Sequence, residues 1–202
     1  ELQIARLEHR FELFSRHEVA RRREGWRIHA VEWEPKEPVT LDVDDAPIVL
    51  SGRIDRVDRR VVDGVEQWAV LDYKTGDSAK TPDKAHRSRK EWRDLQLPLY
   101  TRIARRLGAK SLTELGYFAL GKDAANSGVL LADWDQDELD VAFDTARDVV
   151  RAIRRGEFWD LGRGVDGDEI FQAIAGVGLI AASGTLNLPS SMFRRAPERV
   201  ST

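Results

Sequence analysis

The chain has 202 residues, of which 42% are hydrophobic and 33% charged, and its net charge is −3 at pH 7. That is the size of one ordinary domain, or one domain with an appendage, with enough apolar residues to bury a core beneath a heavily charged surface. Cysteine is absent, which excludes disulfides, thiolate zinc sites, iron–sulfur clusters and a cysteine nucleophile, and no apolar run approaches the roughly 18–20 residues that a membrane span needs.

No signal-peptide pattern opens the chain, so a cytoplasmic location is expected. The chain starts at Glu1 and its only methionine is Met192, which suggests a segment of a longer polypeptide. Residues 2–24 read as a helix, with Ile4, Leu7, Phe11, Phe14 and Val19 recurring near the helical period. The arginine run Arg21–Arg23 and Gly25 should end it. Residues 27–33 alternate in the manner of a strand. Pro35, Pro38 and Pro47 then punctuate a charged stretch that leaves room for a short strand over 39–43. Residues 48–58 and 65–74 form a predicted antiparallel hairpin closed by the turn pair Asp63-Gly64. A loop over 75–86 leads to a helix that ends near Leu107, with Gly108 as its cap. Two further strands are predicted over 115–120 and 129–132, and a helix over 137–155 places Leu139, Phe143, Ala146, Val150 and Ile153 on one face. Residues 1–160 are therefore read as the main domain and 161–202 as a C-terminal extension, whose small apolar residues over 170–182 are open to reading as a helix packed on the core or on another domain.

Charge is segregated. Between Lys80 and Lys110 there are ten Lys and Arg against three acids, Asp83, Glu91 and Asp94. Such a local excess suits a polyanionic substrate, although a solvated helix face has the same composition.

The chemistry concentrates in the hairpin. Side chains alternate across a strand, so Asp72 and Lys74 face one way while Leu71 and Tyr73 face the other. Asp55 on the partner strand can stand opposite or diagonal to Asp72, within reach of one shared ion. Two neighbouring carboxylates repel unless a cation lies between them. Mg²⁺ meets that demand through hard oxygen ligands, commonly one or two carboxylates plus a substrate phosphate, and Lys74 could neutralise developing charge or orient an attacking water. A plain salt bridge between Lys74 and one acid is the competing structural reading. Gly52 and Gly76 flank the set, and a glycine beside a strand often marks the close approach of a ligand or another backbone.

Three segments in order carry a resemblance: Gly52-Arg53-Ile54-Asp55-Arg56-Val57-Asp58, Leu71-Asp72-Tyr73-Lys74-Thr75-Gly76 and Asp94-Leu95-Gln96-Leu97-Pro98-Leu99-Tyr100. Together they resemble the motifs of RecB-type exonuclease domains in the PD-(D/E)XK nuclease superfamily. The resemblance implies an α/β fold with a restriction-endonuclease-like core, a mixed central β-sheet flanked by α-helices. It implies Asp55 and Asp72 as metal ligands with the backbone carbonyl of Tyr73, Lys74 as the catalytic lysine, Mg²⁺ or Mn²⁺ as cofactor, and DNA as substrate. It further implies a helicase-like domain or subunit as partner, and a role in DNA repair or recombination. The third segment also has a physical reading. Gln96 and Tyr100 share one helix face, and Pro98 is tolerated only in a first turn, which puts the helix start near Asp94, with 89–93 as a possible preceding helical turn. Gln96 would then stand at the positive end of a helix, where it could help hold a phosphate.

Relatives of this type often carry a metal-binding histidine on an upstream helix. His9, His17 and His29 make no convincing version of that motif, and His9 and His17 are expected at the surface, so the helix bearing that histidine is expected either to lie outside the chain, which would then lack part of its N-terminal helix region, or to be one the protein lacks. Glu32 is a weaker candidate ligand, with Glu34 and Asp58 equally available by composition. Besides a nuclease, two alternatives remain open: a catalytically silent DNA-binding or scaffolding module that retains the fold, and a phosphodiesterase or other metal hydrolase acting on a small molecule.

Overall fold

The computed structural model describes residues 2–109, 112–157 and 179–180. Helix α1 (Leu2–Arg23) leads into strand β1 (Arg27–Trp33), followed by the short strands β2 (Val39–Leu41) and β3 (Ile48–Leu50). Strands β4 (Ile54–Val62) and β5 (Val65–Lys74) form the predicted hairpin. Asp63 and Gly64 both have positive φ, 52° and 78°, as a tight two-residue turn requires. The register pairs Val62 with Val65 and runs back to Arg56 opposite Leu71. Next come α2 (Pro82–His86), the two-residue strands β6 (Arg87–Ser88) and β7 (Glu91–Trp92), and α3 (Gln96–Ala104). Strands β8 (Glu114–Leu120) and β9 (Ser127–Leu131) precede α4 (Gln136–Arg154), and β10 (Leu179–Ile180) pairs with β3.

The main sheet runs in the order β1-β4-β5-β8-β9. It is mixed: β5 and β8 are parallel, while the other neighbours are antiparallel. With helices packed against it, this is the α/β architecture that the sequence implies. One face, built from Val57, Val70, Leu115 and Tyr117 with α3 and α4, forms the hydrophobic core. Helix α4 seats Phe143, Ala146 and Val150 there and opens with a capping box, Asp135 with Glu138. No helix among the described residues is long and apolar enough to cross a membrane.

Helix α1 lies against β8 and β9, and of its predicted apolar stripe only Phe14 faces inward. Ile4, Leu7, Phe11 and Val19 are all exposed, Ile4 by 63% and Phe11 by 53%. The inward stripe is Arg10, Leu13, Phe14, His17, Glu18 and Arg21. Phe14 packs on Phe118 at 5.0 Å, and His17 meets Phe118 edge-on at 6.2 Å rather than lying at the surface. Beneath them is a buried ionic cluster. Arg21 Nε donates to Asp58 Oδ2 at 3.1 Å, Arg56 Nε donates to Asp58 Oδ1 at 2.7 Å, and Arg56 Nη1 reaches Glu18. Asp58 is 0% exposed and Arg56 1%. Full pairing is what makes such burial tolerable, because each lone charge would lose its hydration.

Other expectations change as well. Residues 48–58 are not one strand: β3 joins β2 and β10 in a separate sheet, and Ser51-Gly52-Arg53 breaks the chain before β4. Residues 89–93 are not a helical turn. Arg89 and Lys90, with φ of 51° and 70°, form the tip of the small β6–β7 hairpin. Within the predicted loop 75–86, Pro82–His86 is helical. Of the segment 170–182, Leu179–Ile180 is extended rather than helical, and the remainder lies outside the described residues.

Candidate active site

The β4–β5 hairpin brings Asp55, Asp72 and Lys74 to the sheet face that α3 covers. Continuing the register from Arg56 opposite Leu71 places Asp55 across from Asp72. Asp55 Oδ2 accepts the backbone N–H of Tyr73 at 2.9 Å, which lays its carboxylate against the residue between Asp72 and Lys74. Lys74 Nζ lies 2.7 Å from Asp72 Oδ2. The Tyr73 ring points the other way, into the α1 side, where it packs near Phe14 and Phe118. The alternation read from the sequence therefore holds on both faces.

Asp72 is only 4% exposed. Burial pushes its carboxyl above the ordinary aspartate value, Lys74 opposes that shift, and the charges of Asp55 and Asp94 add to it. Apart from the Lys74 ammonium, no hydrogen-bond donor among the described residues meets Asp72 Oδ2. Its other oxygen, Oδ1, accepts from Gln96 Nε2 at 3.2 Å. Gln96 Nε2 also approaches the Tyr100 hydroxyl at 3.0 Å, and that hydroxyl donates to the Arg53 carbonyl at 2.7 Å. Gln96 and Tyr100 thus form one chain of contacts from β5 through α3 to the loop before β4. Burial, with Asp72, Asp55 and Asp94 nearby, pushes the Tyr100 hydroxyl up to about 12, so it stays a neutral donor.

Asp94 comes close to its predicted capping role. Its Oδ1 accepts the Gln96 backbone N–H at 2.7 Å, although the cap position itself belongs to Leu95. Pro98 falls in the first turn of α3, and Gly108, with φ of 92°, follows the 3-10 turn Arg105–Leu107.

The flanking glycines behave differently from each other. A Cβ on Gly52 would lie 3.1 Å from Ile103 Cδ1 and 3.6 Å from Tyr100 Cε1, so the close approach there is to α3 rather than to a ligand. Gly76 has only ordinary clearance, 3.5 Å to the Ser78 carbonyl oxygen, and marks no close approach. Two of the other acids considered as ligands, Glu32 and Asp58, are engaged elsewhere. Glu32, at a positive φ of 46°, pairs with Arg53 Nε at 2.9 Å, and Asp58 is buried in the ionic cluster on the opposite face.

No sequence signal selects His86, Tyr117 or Arg10. Tyr117 is the register partner of Asp72 on β8, and its ring carries Lys74 Nζ at 4.6 Å from the centroid. Arg10 Nη1 donates to the Leu120 carbonyl at 2.9 Å and to the Thr75 carbonyl, holding the ends of the two parallel strands just past Lys74. No local motif announces any of the three, because each is defined by partners far away in the chain.

A divalent cation is compatible with this donor set. Among the described residues there is no group of three or more His, Cys, Asp or Glu able to hold a metal. Two carboxylates on one face remain, one of them buried with an oxygen that meets no donor but Lys74. Mg²⁺ is commonly held by one or two carboxylates, with water and phosphate oxygens completing its shell. The donors are hard oxygens throughout, which suits Mg²⁺ or Mn²⁺ and not a thiophilic metal.

The family model of the PD-(D/E)XK nuclease superfamily matches residues 1–161, and the chain belongs to that superfamily. Comparison with curated proteins and with solved structures gave no match.

Proposed function

We propose that the chain is a divalent-metal-dependent nuclease domain that hydrolyses DNA phosphodiester bonds, with Asp55, Asp72 and Lys74 as its catalytic set. The observation that carries this reading is the Lys74 ammonium 2.7 Å from a buried Asp72 whose carboxylate shares a sheet face with Asp55. When bound, Mg²⁺ or Mn²⁺ would supply Lewis-acid stabilisation of the phosphoryl oxygens. Asp55, Asp72 and the Tyr73 carbonyl would hold it. Lys74 presents a fixed positive charge where negative charge develops on the phosphorane-like transition state, and it can orient the attacking water. Gln96 and Tyr100 keep Asp72 in place, and α3 presents its first turn towards the substrate.

An exonucleolytic mode, a helicase-like partner and a place in DNA repair or recombination follow from the likeness of the three motifs to RecB-type domains. DNA as the polyanion is favoured by Arg89, Lys90 and Arg93, which are exposed and without ion pairs among the described residues. The test is cleavage of end-labelled single- and double-stranded DNA in Mg²⁺ or Mn²⁺ by the chain, Asp72→Ala and Lys74→Ala. Metal-dependent products from the parent alone support the proposal. Equal cleavage by all three proteins, or none by the parent at any metal concentration, refutes it for this chain.

A further inference from the structure

His86 is 0% exposed, yet the reaction just described does not use it. Both its ring nitrogens are engaged. Nδ1 lies 2.9 Å from the Asp94 carbonyl oxygen and 3.3 Å from Asp94 Oδ1. A carbonyl can only accept, so Nδ1 carries the proton; in the neutral ring Nε2 is then the acceptor for the Tyr117 hydroxyl, 2.6 Å away. The imidazole stacks on the Tyr117 ring at 27° and 5.8 Å, and Trp134 closes it edge-on at 5.3 Å. The His86 backbone is also committed: its carbonyl accepts the N–H groups of Arg93 at 2.8 Å and Asp94 at 3.2 Å.

One residue therefore holds two arms of the site. Through Arg93 and Asp94 it fixes the approach to α3, where Gln96 reaches Asp72. Through Tyr117 it fixes the ring over which the Lys74 ammonium lies. A lysine side chain is long and flexible, and a ring face attracts its charge wherever the ring points. A phenylalanine would supply the same face. What the Tyr117 hydroxyl adds is a bond to His86, and through it an anchor at Asp94.

We propose that His86 is a positioning residue for Lys74, acting through the hydrogen-bonded series Asp94–His86–Tyr117 that sets the plane of the Tyr117 ring. The catalytic consequence rests on the role given to Lys74 above; the positioning itself does not. Nothing in the proposal requires His86 to exchange a proton during turnover.

Two readouts separate these claims. The first is the ¹H–¹³C NMR signal of the Lys74 ε-methylene, assigned by its loss in Lys74→Ala. In the parent chain the Tyr117 ring current should shift it upfield of the other lysines. Tyr117→Phe, which keeps the ring and removes the bond, should move it towards them. His86→Leu should do the same, and His86→Gln, whose amide can still meet the Tyr117 hydroxyl, should largely restore it. The second readout is kinetic: in Mn²⁺, Tyr117→Phe and His86→Leu should lower kcat on the order of ten- to a hundredfold, as small misplacements of a reacting group do, while KM for DNA stays near the parent value. Should His86→Leu fail to fold, Tyr117→Phe decides alone. A folded Tyr117→Phe with parental Lys74 chemical shift and kcat overturns the proposal. A parent chain that does not cut DNA refutes the nuclease reading and leaves the NMR comparison to judge the positioning.

Discussion

Gln96 Nε2 stands 3.2 Å from Asp72 Oδ1, so the first turn of α3 is tied to the strand that carries two of the three candidate catalytic groups. The bond orients an acid that burial makes easier to protonate than an ordinary aspartate. Partners of this kind around metal-binding carboxylates typically account for about 10–100-fold in metal affinity or activity. Gln96→Ala is expected to lose about that much in cleavage rate and in Mn²⁺ affinity measured by calorimetry. Gln96→Glu should do worse, because a carboxylate there would face Asp72. Parental affinity and rate in Gln96→Ala would show that α3 merely packs against the site.

The raised pKa of Asp72 makes a second prediction, about stability. A carboxyl whose folded-state value lies above its unfolded value binds its proton more tightly when folded. Below the ordinary value of 3.8 both states are protonated and there is no penalty. As pH climbs through the raised value the folded state loses this advantage, and above it the ionised group is a full, constant burden. Asp72→Asn should therefore melt higher than the parent in EDTA at neutral pH, with the gap closing as pH falls towards 3.8. Added Mn²⁺ should raise the parent's melting temperature and leave that of Asp72→Asn unchanged. A variant that melts lower than the parent across the whole range would contradict this account.

The opposite face makes a prediction of the reverse sign. Asp58 is shared by Arg21 and Arg56, with all three buried. The paired charges of Glu18 and Asp58 hold the Arg56 guanidinium charged despite its burial. Removing the acid would leave Arg21 with Glu114 and Arg56 with Glu18 as their remaining partners between α1 and the sheet, and breaking a buried pair in this way typically costs about 3–5 kcal/mol. Asp58→Ala should lose stability of that order in urea unfolding, whereas Glu12→Ala, on the exposed pair with Arg16, should change it by less than about 1 kcal/mol. Equal, small effects would mean that α1 is held by its apolar contacts alone.

This ionic cluster also explains why the apolar periodicity of α1 does not mark its inward face. Hydrophobic periodicity selects Ile4, Leu7, Phe11, Phe14 and Val19 on α1, but of these only Phe14 is turned inward, and the helix docks beside it through Arg10, Glu18 and Arg21, whose partners lie on β4 and β8. Charge pairing over such separations leaves no local trace. The same holds for Gly52, whose neighbour Ile103 is on α3, and for His86, which joins segments from α2, β8 and the approach to α3. By contrast, the hairpin was legible because all of its determinants are local: a period of two, an Asp-Gly turn, and Asp72 and Lys74 two residues apart. Gln96 and Tyr100 were legible as a pair for a similar reason, since one helical turn separates them and their contact at 3.0 Å follows from that spacing.

The β6–β7 hairpin carries the last prediction. Its tip residues Arg89 and Lys90 have positive φ, and with Arg93 they project from the segment that leads into α3. Arg87, in strand β6 of the same hairpin, is already paired with Glu138 at 2.6 Å, so it has little charge to offer a phosphate. If the three exposed residues each meet a phosphate, they release condensed counterions on binding, and log K should fall with log salt by about 0.7 per contact on single strands and about 0.9 on duplex. Changing all three to serine in an Asp72→Ala background, which suppresses cleavage, should reduce the slope of log K against log salt by about 2–3. Changing Arg87 alone should leave the slope near its starting value and act on stability instead. Fluorescence anisotropy across a salt series measures both. An unchanged slope in the triple variant would move the DNA path away from this hairpin, towards the other side of α3.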